Sequence, residues 1–147
     1  MSAVGHVLVL FDSSTRGRRA LRAAERLAVI AGARLTVVTV ALLEVRRGCC
    51  DLRADIWNRL QREAAAGDLQ VAKETLRAIE CVNFVAAASS RLEDALTAET
   101  LASDCDVVVV PDPRRSMLPR RGALSAAVRD RSQRRVLTAS EAAAFTA

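Results

Sequence analysis

Tyrosine is absent from this chain of 147 residues, phenylalanine occurs three times and tryptophan once. Phe11, Phe84, Phe145 and Trp57 stand apart from the arginine clusters, so the chain lacks a series of platforms on which bases could stack. Nucleic acid is therefore not an expected partner. Histidine occurs once, as His6 at the head of an apolar run, which leaves no base to pair with a nucleophile. The four cysteines, Cys49, Cys50, Cys81 and Cys105, have neither a C-x-x-C nor a zinc spacing. G-x-S-x-G, the P-loop and G-x-G-x-x-G are all missing. Six glycines and three prolines exclude collagen-like and low-complexity classes. No run approaches the roughly 18 apolar residues of a membrane span, and the start Met-Ser-Ala-Val-Gly-His lacks the basic region of a signal peptide. A soluble cytoplasmic protein, with no membrane partner, is the expectation.

What remains is 51% hydrophobic and 27% charged, the composition of one compact domain over residues 1–147. The run His6 to Phe11 is apolar throughout and too short for a helix, the mark of a strand covered on both faces. Asp12-Ser13-Ser14-Thr15 then supplies N-cap residues, and Ala20, Leu21, Ala24, Leu27, Ala28 and Ala31 recur at helical spacing until Gly32. A second strand is predicted from Arg34 to Leu43. A helix follows from Asp51 to Glu80, with Leu52, Ile56, Leu60, Ala64, Val71, Leu76 and Ile79 on its inner side and a break expected at Gly67-Asp68. Trp57 on that helix is expected to be a core or interface anchor. Cys81 to Ala86 reads as a third strand, and Ser90-Arg91-Leu92-Glu93 as a capping box opening a helix to Ala102. Glu93-Asp94 then serves that helix start rather than acid–base chemistry. Val107 to Val110 is the fourth strand, Leu124 to Arg131 a helix and Val136 to Thr138 a short last strand, while Ser140 to Ala147 carries little signal. Cys81 and Cys105, beside strands, are expected to be buried, and Cys49-Cys50 to be an exposed thiol pair.

Strands alternating with helices specify an α/β fold: an open five-stranded parallel sheet with helices on both faces, of Rossmann-like type. Ligands of such sheets bind beyond the carboxyl ends of the strands, which points to Asp12 to Thr15 and to Pro111 to Ser125. Charge concentrates in the second segment. Between Asp112 and Val136 eight arginines stand against two aspartates, within a chain of net charge +5. These arginines read as solvated surface, as guanidinium forks for an anion, or as a nucleic-acid footprint, in that order of expectation.

Phe11-Asp12-Ser13-Ser14, Arg19-Ala20-Leu21, Gly32-Ala33-Arg34-Leu35-Thr36-Val37-Val38 and Asp106-Val107-Val108-Val109-Val110 follow in an order and spacing that resembles the universal stress protein family over residues 4–138. The resemblance implies the adenine nucleotide alpha hydrolase-like form of the fold. Its ATP-binding members carry Gly-x2-Gly-x9-Gly-(Ser/Thr) after the fourth strand; here Pro111, Arg114 and Leu124 fall at the glycine positions and Ser125 at the last one. Proline removes an amide donor, and arginine and leucine add bulk where a backbone must wrap phosphate. Asp12 matches the acidic residue at the adenosine end of the family's pocket, and Ser125 is placed to donate to a phosphate. Asp12 with Ser13 or Ser14, and Ser125, read equally as helix caps.

The resemblance implies a non-enzymatic stress-response or regulatory protein with ATP binding weakened or lost, and a homodimer. Its relatives pair through the last strand, which here is short and flanked by arginines. A second reading is a sensor that binds a nucleotide or other anion through Asp12, Ser13, Arg114 and Ser125; a third is a hydrolase using the same pocket. No metal site and no resident cofactor are expected, with ATP or AMP the ligand that the resemblance leaves open.

Overall fold

The computed structural model describes residues 3–113 and 123–147. Its elements are β1 (His6–Leu10), α1 (Thr15–Ala31), β2 (Arg34–Leu42), α2 (Leu52–Thr75), β3 (Val82–Ser89), α3 (Leu92–Ser103), β4 (Val107–Val110), α4 (Ala123–Ser132), β5 (Arg135–Thr138) and α5 (Ala139–Phe145). The five strands form one sheet in the order β3-β2-β1-β4-β5, with every pairing parallel. The fold class expected from the sequence is the one observed.

Strand alternation divides the core into two layers. Val7 and Val9 of β1 face α1, α5 and the end of α2, joining Leu21, Leu27, Leu76 and Ala142. Leu8 and Leu10 face the opposite side, joining Leu96 of α3 and Val128 of α4. All of β1 and β4 is buried, which is why both read as uninterrupted apolar runs.

The start of β1 is fastened to the start of β4 across a hundred residues of sequence. Asp106 Oδ2 accepts from the amides of Gly5 at 2.7 Å and His6 at 3.0 Å. The buried His6 ring lies 3.2 Å by Nδ1 from the Ser103 carbonyl and 2.6 Å by Nε2 from Thr36 Oγ1. Nδ1 therefore donates to the carbonyl, and both ring nitrogens are engaged within the fold, a structural use of the only histidine.

α1 begins at the cap Ser14, whose Oγ accepts from Gly17 N at 3.1 Å. It ends where Gly32 adopts φ +64°, allowing Ala33 N to bond the Ala28 carbonyl at 2.8 Å.

Several expectations are corrected. α2 runs unbroken through Gly67-Asp68, because its i→i−4 ladder tolerates one glycine on an open face. Val71, Leu76 and Ile79 pack against the core as expected, but the inner side of the first half is Ala54 and Ala65 rather than the larger apolar residues. Leu52, Ile56 and Leu60 are exposed, and so is Trp57, whose Nε1 donates to the Leu42 carbonyl at 3.3 Å; it is not a core residue. The capping box at Ser90 does not form, since the N-cap is Arg91 and makes no side-chain cap bond. Cys81 is exposed and adopts φ +62° at the turn into β3. Finally, the C-terminal segment is helical: α5 starts at Thr138, whose Oγ1 accepts from Glu141 N at 3.2 Å.

Cys105 is buried as expected, and burial pushes its thiol pKa up. Cys49, Cys50 and Cys81 are exposed. Titration of the native protein with a chromogenic thiol reagent is expected to modify these three rapidly and Cys105 only after denaturation; four rapid equivalents would contradict this burial.

Candidate functional site

The carboxyl ends of β1 and β4 open into a cleft of about 230 Å³ lined by Leu10, Asp12, Arg16, Leu92, Val110, Pro111, Asp112, Pro113, Leu124 and Ser125. Parallel strands that end side by side at the centre of the sheet leave this hollow, and the helices that follow them form its walls. Asp12 and Ser125, both predicted from sequence, are brought together in it. Ser125 is buried at the first turn of α4. Ser13 does not line this cleft: its hydroxyl donates to Asp68 of α2. Arg114, with Arg115, Arg120 and Arg121, lies outside the described residues.

Asp12 is already engaged. Its Oδ1 accepts from Ser14 N at 2.9 Å and from the Ser14 hydroxyl, the geometry of an Asx turn that fixes the entry to α1. Behind it, a Cβ at Gly17 would intrude on the Asp12 carbonyl and carboxylate oxygens and come within 2.9 Å of its amide nitrogen. Helix α1 thus approaches Asp12 at a distance that only glycine permits.

Two cleft residues were not singled out from the sequence, Arg16 and Asp112. Arg16 Nη1 donates to the Asp112 carbonyl at 3.2 Å and so ties α1 to the segment after β4. Asp112 turns its carboxylate to the start of α5, accepting from Ser140 N at 2.9 Å and Ser140 Oγ at 2.5 Å. The position of Arg16 just inside a capped helix gave a signal of its location, but nothing in the sequence pairs residues 96 apart.

Burial works to raise the Asp112 pKa, but the Ser140 hydrogen bonds, Thr138 and the Arg19 charge outweigh it and hold the carboxyl below its ordinary value. A carboxyl depressed in the folded state stabilises the fold above its unfolded pKa and loses that contribution as pH falls through the folded one. Thermal unfolding followed from pH 6 down to pH 2 is expected to show Asp112→Asn flatter than wild type below about pH 4. Parallel curves would refute the role of this carboxylate.

Beside the cleft, a groove of about 520 Å³ runs between α1 and α5, lined by Arg19, Arg22, Arg26, Glu25, Asp112 and Ser140 over Ala23, Ala139 and Ala143. Arg19, Arg22 and Arg26 are exposed and, among the described residues, none is within ion-pair distance of a carboxylate. The described arginines of the C-terminal basic segment are used differently. Arg129 Nη2 donates to the Val136 carbonyl at 3.1 Å and Arg131 pairs with Asp94. Arg134 pairs with Asp104 at 2.6 Å, and Arg135 lies 5.2 Å from the Phe145 ring centre. These four brace α4, β5 and α5 against the body of the fold. No group of three or more potential metal ligands exists among the described residues, and no described helix is long and apolar enough to cross a membrane.

No family model and no curated protein matches the chain. Solved structures do. A universal stress protein from Lactobacillus plantarum superposes with a TM-score of 0.74 at 14% identity, covering 94% of this chain and 99% of its own. A universal stress protein in complex with cAMP gives 0.69 at 21% identity, covering 93% and 97%. A universal stress protein family protein from Arabidopsis thaliana with AMP bound gives 0.61 at 17% identity, covering 91% and 90%. At these identities the likeness is one of fold, and it extends over nearly the whole of each chain.

Proposed function

We propose that this chain, built on the fold of the universal stress proteins, is a non-enzymatic stress-response or regulatory protein that works as a homodimer and binds adenine nucleotide weakly or not at all. The observation that carries this reading is the state of the strand-end cleft. Asp12 is spent on the entry to α1, and Pro111 and Pro113 line the wall where a phosphate cradle would need free amides. At about 230 Å³ the cleft is also smaller than the roughly 300 Å³ at which small-molecule pockets begin. Structures with this fold hold cAMP or AMP, so the comparison of interest is with a competent site. The non-enzymatic reading is supported by the place of His6, which is held by Ser103 and Thr36 at the start of β1, the end away from the cleft.

Thermal unfolding with about 1 mM AMP, cAMP or ATP tests the reading. A dissociation constant near 1 mM gives a shift of only about 1–2 °C. A shift of about 8 °C or more, the effect of a constant near 10 μM, would overturn it.

The arginine groove favours a second reading, a sensor of small anions beside the strand ends. Three guanidinium groups, none within ion-pair distance of a carboxylate among the described residues, outnumber Glu25 and Asp112 over a floor of alanine and suit a phosphate or carboxylate. Inorganic phosphate or pyrophosphate would then stabilise the protein where AMP does not, and Arg22→Gln would remove the effect.

A further inference from the structure

The first half of α2 turns its large apolar side chains outward. Leu52, Ile56, Trp57 and Leu60 are exposed by 69, 43, 44 and 51%, while alanines at 54, 65 and 72 meet the sheet. A contiguous band of this kind on a soluble domain marks a surface that another molecule covers. The opposite flank of the helix is occupied by its own chain. Arg46 pairs with Asp55 at 3.0 Å, and Asn58 Oδ1 accepts from Glu44 N at 2.7 Å while its amide nitrogen donates to the Glu44 carbonyl at 3.0 Å. The preceding loop is held there and leaves the apolar band open.

The band has a shape. Positions 57, 60, 64 and 67, all exposed, recur at steps of three, four and three, the spacing of a helix–helix seam. Trp57 and Leu60 fill one end with bulk, whereas Ala64 and Gly67 leave the other end shallow. Both small residues are exposed, and a Cβ at Gly67 would meet nothing within 4 Å. A seam tapered in this way is complementary to itself turned end for end. About a two-fold axis near residue 62, Trp57 of one copy falls over Gly67 of the other, and Leu60 over Ala64. Each pairing occurs twice.

Charge fits the same register. Arg53, exposed and outside every ion pair of the described residues, falls opposite Val71, one turn from the exposed carboxylate of Glu74. That carboxylate has only a 3.5 Å contact with Gln70 Nε2 within its own chain.

We infer that a second copy of this chain docks on α2, the two helices crossing antiparallel with Trp57 and Leu60 of each seated on Gly67 and Ala64 of the other. The inference rests on the homodimeric reading and assigns it a surface other than the last strand.

Sedimentation equilibrium of the full chain tests both. The wild type is expected to dimerise at micromolar concentration. Leu60→Glu is expected to weaken the dimer at least about 100-fold, because it places two carboxylates in the centre of the contact. Gly67→Gln separates docking from folding: its side chain enters open space in the monomer, so thermal stability in dilute solution is retained, yet it blocks the seat of Trp57 and weakens the dimer about tenfold or more. A wild type that stays monomeric at about 100 μM overturns this inference together with the dimeric reading. A dimer untouched by either substitution overturns the α2 surface alone and leaves the homodimer standing.

Discussion

Gly17→Ala is expected to lower the unfolding temperature by about 10 °C, a loss near 3 kcal/mol for a domain of this size. Alanine is ordinarily the better helix former by about 1 kcal/mol, so propensity predicts the opposite sign. Contact decides. The added Cβ would enter the space of the Asp12 carbonyl and carboxylate, and backbone there cannot move without releasing the Asx turn and the cap of α1. Gly67→Ala supplies the internal comparison: the same change on an open helix face, where nothing lies within 4 Å, is expected to stabilise the dilute monomer by up to about 1 kcal/mol. Chemical denaturation of the two variants beside wild type reads both effects. Equal signs would contradict the close approach of α1 to Asp12.

The largest single loss is expected at Phe11. Its side chain is 2% exposed and packs in the layer formed by α1, α5 and the inner strands, while its amide donates to the Val38 carbonyl at 2.9 Å and continues the sheet one residue past β1. Phe11→Ala removes a ring from a site that two elements of backbone keep from collapsing, at a cost of about 3–5 kcal/mol. A fall in unfolding temperature of about 10–15 °C follows. Phe11→Leu, which keeps most of the volume, is expected to cost under about 1.5 kcal/mol. A small effect of the alanine variant would mean that the layer repacks around Asp12.

The sheet was legible in the sequence because its strands are covered twice. Val107 to Val110 and Val7 to Leu10 have no exposed face, so no polar residue interrupts them. Helix α2 was legible as a helix, and Val71, Leu76 and Ile79 face inward as read, but the inner side of its first half was not legible. Periodicity reports that apolar residues share a stripe, and the stripe through Leu52, Ile56 and Leu60 turns away from the sheet while alanines do the packing. The capping-box signature occurs twice with opposite results. Ser90-x-x-Glu93 makes no cap because the chain enters α3 one residue later, at Arg91. Thr138-x-x-Glu141 does cap a helix, in a tail whose alanines carry no amphipathic pattern.

At the site, Asp12 and Ser125 were readable from their places after strands, a local property. The link from Arg16 to Asp112 and from Asp112 to Ser140 was not, because it joins three segments whose proximity only the finished sheet creates. Ser13 illustrates the reverse. A hydroxyl in the right loop is claimed by Asp68 of a neighbouring helix, and no reading of residues 11–15 could supply that partner.

The strand order β3-β2-β1-β4-β5 bears on how the molecule comes into being. Residues 6–89 hold three adjacent strands and two helices of one layer, all joined by neighbouring crossovers, so this half can assemble during synthesis before β4 exists. Its other layer stays bare until α3 and α4 arrive. The cleft takes Asp12 and Arg16 from the early half and Pro111, Asp112 and Ser125 from the late one. The cleft thus reports assembly: it exists only in chains whose two halves have met.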